Sequence, residues 1–247
     1  RSLKRGTHVI VGTPGRVMDH FRRGTLSSAE LKTVVLDEAD EMLKMGFIDD
    51  VQWILDQVKH DHQTALFSAT IPSSIQKIAK NYLKDATDVR IAPSFNKVDL
   101  IEQSYIELHR SAKLDVLTRM LEVEELSAAI IFVRTKTMSA ELAERLQARG
   151  YAASALNGDM SQSLREKVIS KLKKGSLDIV VATDVAARGI DVERVSLVVN
   201  FDIPYDVESY IHRIGRTGRA GRKGRALLLV TQRERHLLKS IQREMNQ

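Results

Sequence analysis

The sequence predicts an α/β protein with two parallel-sheet units in tandem, and three observations carry that prediction. First, short apolar, β-rich runs recur along the 247 residues: HVIVG (8–12), TVVLD (33–37), TALFSA (64–69), AAIIFV (128–133), LDIVVAT (177–183), SLVVNF (196–201) and RALLLVT (225–231). Second, segments with apolar residues at helical spacing lie between several of them, such as FIDDVQWILDQVKH, AELAERLQARG and LREKVISKLKKG. Continuous apolar strands alternating with amphipathic helices are strands buried on both faces, as in a helix-covered parallel sheet. Third, the pattern breaks once, at APSFNKVDLI (92–101), where Pro, Ser and Asn without a clear period read as a linker. The expected units are therefore 1–92 and 102–247, joined by 93–101.

Composition bounds the function. With 43% hydrophobic and 28% charged residues the chain has the make-up of a folded globular protein. No apolar run approaches about 18 residues, which leaves no candidate membrane-spanning helix. The opening residues, RSLKRGTHVIVGTPG, lack the apolar stretch of a secretion signal. The absence of cysteine excludes disulfides, thiolate zinc sites and cysteine nucleophiles. Net charge is +6, and nearly all the excess falls after residue 200. A local basic patch there fits a polyanion partner, and fits a solvated tail equally well.

In chain order, HVIVG reads as a strand and TPGR, Thr13 to Arg16, as the turn that ends it. That turn offers N–H groups, a hydroxyl and a guanidinium suited to a phosphate backbone. VVLDEAD, Val34 to Asp40, delivers three acids at a strand's carboxyl end, where ligands of open α/β sheets sit. Asp37 is placed to hold magnesium through water, and Glu38 to orient a water for in-line attack. An acidic helix start is the plainer alternative. SAT, Ser68 to Thr70, follows the next strand and supplies two hydroxyls for neighbouring carboxylates; Ser and Thr also cap helices widely. In the second half, IVVATDVAARGID repeats the same grammar of apolar strand followed by acid. Two copies of one fold, with their polar residues in a shared cleft, are the expectation.

The stretch YIHRIGRTGRAGRKGRA, Tyr210 to Ala226, spaces Arg213, Arg216, Arg219 and Arg222 every three residues among glycines. A helix continuing to Arg216 would put His212 and Arg216 on one face. Arginine forks suit phosphoryl oxygens and stabilise charge developing in phosphoryl transfer. A flexible basic loop is the alternative.

Taken in order, TPGR, DEAD, SAT, IIFVRT (130–135), NGDMSQSLR (157–165), ATDVAARGID (182–191) and HRIGRTGR (212–219) resemble the motifs of DEAD-box ATP-dependent RNA helicases across essentially the whole chain. The sequence around them is most similar to the bacterial cold-shock, DeaD-type members. The resemblance implies two RecA-like domains, the first incomplete, that use ATP and Mg2+. It implies that Asp37 binds magnesium through water and Glu38 orients the hydrolytic water. Asp40, Ser68, Thr70 and His212 would link nucleotide state to domain closure. Asp191 would contact the ATP ribose, and Arg216 and Arg219 would be arginine fingers, with Arg213 in support. RNA backbone would be held by Thr13, Gly15 and Arg16 in the first domain, and by Gly158, Gln162, Arg165 and Thr183 in the second. The implied role is local RNA duplex unwinding in the cytoplasm, with ribosomal or RNA-decay proteins as partners and no membrane.

Aromatic residues make up only 5% of the chain, and Trp53 falls in an amphipathic helix, so a base-stacking platform is not expected. Backbone grip predicts sequence-nonspecific, salt-sensitive binding. None of the thirteen glycines is followed by lysine, so the phosphate loop G-x-x-x-x-G-K-[ST] does not occur in this sequence. The family places that loop upstream of TPGR. The expectation is an N-terminally truncated motor, inactive alone, whose first sheet is left partly uncovered. A non-catalytic RNA-binding module and a DNA translocase remain rival readings.

Overall fold

The computed structural model describes Leu3, residues 6–91 and residues 100–245. The chain divides into two compact units, Arg1–Ile91 and Ala92–Gln247. Residues 93–99 of the expected linker lie outside the described residues. Ile101, assigned to that linker from sequence, instead opens a strand and is 6% exposed.

The first unit contains α1 (Pro14–Arg22), β1 (Thr33–Leu36), α2 (Ala39–Lys44), α3 (Ile48–Asp56), β2 (Gln63–Leu66) and α4 (Ser73–Tyr82). β1 and β2 pair in parallel, with Thr33 beside Gln63 and Leu36 beside Leu66. Leu36 packs with Val51 and Leu55 of α3 and Ile78 of α4 in one small core. Side chains alternate along a strand, so Val35 faces the other way and is 57% exposed.

The predicted strand HVIVG does not form: Val9 is 79% and Val11 93% exposed, outside any strand or helix. A strand needs a ladder partner, and among the described residues only β1 and β2 pair in this unit. TPGR is likewise not a strand-ending turn. Thr13 is the N-cap of α1, and Pro14 occupies its first turn, where the missing N–H costs nothing. Trp53 on α3 is half-buried, with the Arg22 guanidinium 5.3 Å from its ring centroid.

The second unit contains β3 (Ile101–Glu107), α5 (Lys113–Val123), β4 (Ala129–Phe132), α6 (Lys136–Ala148), β5 (Ala153–Leu156), α7 (Gln162–Lys174), β6 (Ile179–Ala182), α8 (Asp184–Ala187), β7 (Leu197–Asn200), α9 (Val207–Ile214), β8 (Gly224–Val230) and α10 (Arg235–Glu244). Its described strands form a six-stranded sheet in the order β3-β8-β7-β4-β6-β5. Every pairing is parallel. The carboxyl ends of all six therefore lie along one edge.

β4 sits inside this sheet, and its alternation divides the core. Ala129 and Ile131 join Leu117, Leu142, Leu146 and Val199 on one face. Ile130 and Phe132 join Leu156, Val168, Leu172 and Val198 on the other. A third cluster, with Ile101, Tyr210, Ile214, Leu228 and Ile241, closes the sheet where β3 and β8 lie. Gly224 is required by close packing, since a Cβ there would lie 2.4 Å from Thr217 Oγ1. That hydroxyl donates to the Val195 carbonyl at 2.7 Å.

Two strands, β3 and β5, are absent from the apolar runs, and both are sheet edges. An edge strand buries fewer of its residues and so carries polar ones: IEQSYIE in β3 and the short ASAL in β5.

Candidate functional site

In the first unit the acidic turn is made by two adjacent parallel strands. The Phe67 N–H donates to the Leu36 carbonyl at 2.7 Å, and the Ala39 N–H to the Phe67 carbonyl at 3.1 Å. The ends of β1 and β2 are thereby locked together, bringing DEAD against SAT. Asp40 is 2% exposed. Its Oδ2 accepts the Thr70 N–H at 2.9 Å and the Thr70 hydroxyl at 3.0 Å, and its Oδ1 accepts the Glu41 N–H at 3.1 Å. The Ser68 hydroxyl accepts the Asp40 N–H at 3.1 Å and donates to the Thr70 carbonyl at 2.6 Å. Burial pushes the Asp40 carboxyl up, but hydrogen bonds from Thr70, Ser68 and its own backbone outweigh it and hold the group below the ordinary aspartate range.

Asp37 and Glu38 are exposed beside this buried partner. Asp37 Oδ1 accepts the Glu38 N–H at 3.0 Å. Glu38 is the N-cap of α2 in the left-handed region, at φ 53° and ψ 47°. A glutamate held there is strained, and such strain clusters at functional turns. Exposed carboxylate oxygens at a strand end fit a hard cation such as magnesium. Thr13, Gly15 and Arg16 form the first turn of α1. Thr13 and Gly15 are exposed, and Arg16 is paired to Asp19 at 2.9 Å.

In the second unit the sequence candidates gather along the sheet's carboxyl edge. Gly158 is exposed after β5, and no neighbour crowds its Cα. Gln162 opens α7 behind the N-cap Ser161, and its amide donates to Glu166 at 2.9 Å. Thr183 is the N-cap of α8, with no cap bond from its side chain. Arg165 reaches across from α7 and donates to the carbonyls of Ala186 at 2.6 Å and Arg188 at 3.0 Å. It thus ties the end of α8 to α7.

His212 lies in the last turn of α9, and the helix ends at Ile214, short of Arg216. The expected helical face shared by His212 and Arg216 does not form, because the chain turns at Gly215. Arg216 instead folds back, donating to the carbonyls of His212 at 3.2 Å and Ile190 at 3.2 Å. Arg219 pairs with the Asp191 carboxylate and donates to the Gly215 carbonyl at 2.9 Å. Two candidates named separately, Asp191 and Arg219, are thus one ion pair.

Two networks escaped the sequence reading. Arg213 is 4% exposed; it grips both oxygens of Asp184 at 2.6 and 2.8 Å, and donates to Asn200 Oδ1 at 3.1 Å and the Asp202 carbonyl at 2.7 Å. The available signal was its placement with Tyr210 and Ile214 on the buried face of α9. Lys113 is also buried; it donates to the Phe201 carbonyl at 2.6 Å and lies 3.5 Å from Asp202 and 3.8 Å from Glu234. Burial raises the Glu234 carboxyl, while the Thr231 N–H and hydroxyl, Lys113 and Arg134 lower it further, below its ordinary value.

The basic final segment is less free than its composition implied. Arg213, Arg219, Arg222, Arg225 and Arg235 pair with Asp184, Asp191, Glu193, Glu124 and Glu107, all acids from earlier in the unit. Much of that charge is structural cross-linking. Among the described residues no helix is long and apolar enough to cross a membrane.

Residues 1–78 match the DEAD/DEAH box helicase family and residues 112–221 the helicase conserved C-terminal domain. The chain is 58% identical over 245 residues to the ATP-dependent RNA helicase DeaD of Haemophilus influenzae, covering 99% of this chain and 40% of that protein. It spans about two fifths of the length of such curated relatives. Among solved structures, S. cerevisiae Dbp5 bound to RNA and ADP BeF3 is 37% identical with a TM-score of 0.86, covering 96% of this chain and 63% of that one. A hypothetical ATP-dependent RNA helicase from Sulfolobus tokodaii is 36% identical with a TM-score of 0.55, covering 96% and 69%.

Proposed function

The chain belongs to the DEAD-box helicase family, in its DeaD branch, and on that premise we propose that it is the motor portion of an enzyme coupling ATP hydrolysis to local separation of RNA duplexes. The observation that carries the reading is the turn after β1. There a buried Asp40 is tied to Ser68 and Thr70, while Asp37 and Glu38 stand exposed beside it.

Asp37 would hold magnesium through water, and bound magnesium neutralises charge on phosphate oxygens. Glu38, held in the left-handed region beside Asp37, orients the attacking water. Asp191 receives the ribose. Arg216 and Arg219 stabilise charge on the transferred phosphoryl group, and Arg219 must exchange Asp191 for phosphate to do so. Asp40, Ser68, Thr70 and His212 pass the nucleotide state to the rest of the motor. Thr13, Gly15 and Arg16 hold RNA backbone in the first unit; Gly158, Gln162, Arg165 and Thr183 do so in the second. Contacts of these kinds carry no base code.

The 247-residue sequence holds no phosphate-loop string, and we expect it not to turn over ATP by itself. The test uses the longer protein that contains it. Glu38→Gln should lower RNA-stimulated kcat by about 10²–10⁴-fold while leaving RNA affinity unchanged. An unaltered kcat would remove Glu38 from the chemistry and the reading with it.

A further inference from the structure

Three free cations of the second unit line up on α7. Lys167, Lys171 and Lys174 recur at i, i+4 and i+7 and therefore share one face of the helix. All three are exposed. Among the described residues none of them is ion-paired or hydrogen-bonded through its side chain. By contrast, the arginines of residues 213–235 are largely engaged with acids. The one acid of α7, Glu166, is occupied by Gln162. Val168 and Leu172 pack on the opposite side, so the lysine face points to solvent. The stripe spans about 10 Å of helix at 1.5 Å per residue; Gln162 and Arg165 lie on the same helix, toward its N-terminal end and on a different face.

We propose that this stripe is an RNA backbone-binding surface that takes the strand, or its duplex flank, beyond the residues already proposed to hold it. The inference rests on the RNA reading given above. The chemistry it recognises is the repeating phosphodiester. Three mobile ammonium groups, each with three donors and no base-reading geometry, bind phosphate as point charges. The grip would lengthen the footprint without adding sequence preference. It would also make long RNA more salt-sensitive than short RNA.

The test measures binding of the 247-residue chain to a short and a long oligouridylate across a salt series. The Lys167→Gln/Lys171→Gln/Lys174→Gln variant should bind the long strand at least about tenfold more weakly at low salt. Its log–log salt slope should be shallower by about two, from three lost phosphate contacts at about 0.7 each. Affinity for the short strand should change less than threefold. A control triple, Lys77→Gln/Lys80→Gln/Lys239→Gln, removes the same net charge from exposed positions elsewhere. Equal losses in both triples would mean that net charge alone acts, and would overturn the proposal. So would an unchanged slope, or, in a parallel titration with anionic phosphatidylserine vesicles, a loss of binding confined to the vesicles. If the unchanged chain binds neither RNA, the RNA reading falls and this inference with it. If it binds and only the α7 triple is silent, the inference alone falls.

Discussion

Strands β1 and β4 look alike in sequence, TVVL against AIIF, yet they fare differently. In β4 all four residues are buried, and in β1 only Leu36 is. The difference lies in the neighbours. β4 has β6 on one side and β7 on the other, and its alternating side chains enter two separate cores. Among the described residues β1 has β2 alone, and of its two faces only the one carrying Leu36 meets a buried core. Apolar β-branched residues decide that a segment is extended; the ladder on each side decides whether the extension stabilises anything. The same contrast separates the units: among the described residues one has three core clusters and the other a single small one.

The largest expected effect tests that contrast directly. Trp53 is the chain's one tryptophan and lies in the first unit, so its fluorescence reports that unit, whereas far-ultraviolet circular dichroism is dominated by the second. Urea titration should give a fluorescence midpoint well below the dichroism midpoint. Ile131→Ala, at a fully buried site, should cost the second unit about 2–5 kcal/mol and leave the fluorescence transition where it was. Coincident midpoints before and after that substitution would show the two units unfolding as one.

How much was legible in advance follows the same logic. Central strands were readable because burial on both faces enforces continuous apolar runs, as in IVVA and LVVN. β3 and β5 were not, because an edge position relaxes that demand. HVIVG shows the converse: it has strand composition, but no described strand pairs with it. The DEAD and SAT strings were recognisable locally, and their union through Asp40 and Thr70 follows from two strands pairing side by side. The ion pairs of Arg213 with Asp184 and of Arg219 with Asp191 could not be read, since their partners lie 29 and 28 residues away and no local period encodes them.

A smaller effect is expected at Arg213, which sharpens the comparison within the second unit. Arg213→Met keeps the bulk of the side chain but strands Asp184. Removing one partner of a buried pair typically costs about 3–5 kcal/mol. Asp184 is 44% exposed, so solvent screening brings the expected loss down to roughly 2 kcal/mol. The dichroism midpoint should fall accordingly, with Arg213→Lys intermediate because it keeps the charge and loses the fork. If Met and Lys are equally mild, the network is packing rather than electrostatics.

The smallest effect belongs to the first unit and to acid. The Asp40 carboxyl lies below its ordinary range in the fold because, although burial raises it, bonds from Thr70 and Ser68 favour the charged form. A depressed carboxylate contributes stability that is fully present above its unfolded value and is lost as pH falls through the folded one. Thr70→Val removes the hydroxyl donor at 3.0 Å and keeps the N–H donor at 2.9 Å. The carboxyl should therefore move up toward its ordinary value. Stability at neutral pH should drop by about 1 kcal/mol, and the acid transition followed by Trp53 should begin at a slightly higher pH than in the unchanged chain. The second unit, whose own depressed carboxyl is Glu234, should keep its acid transition in the dichroism signal. An equal shift in both signals would mean that Asp40 stabilises more than the turn that holds it.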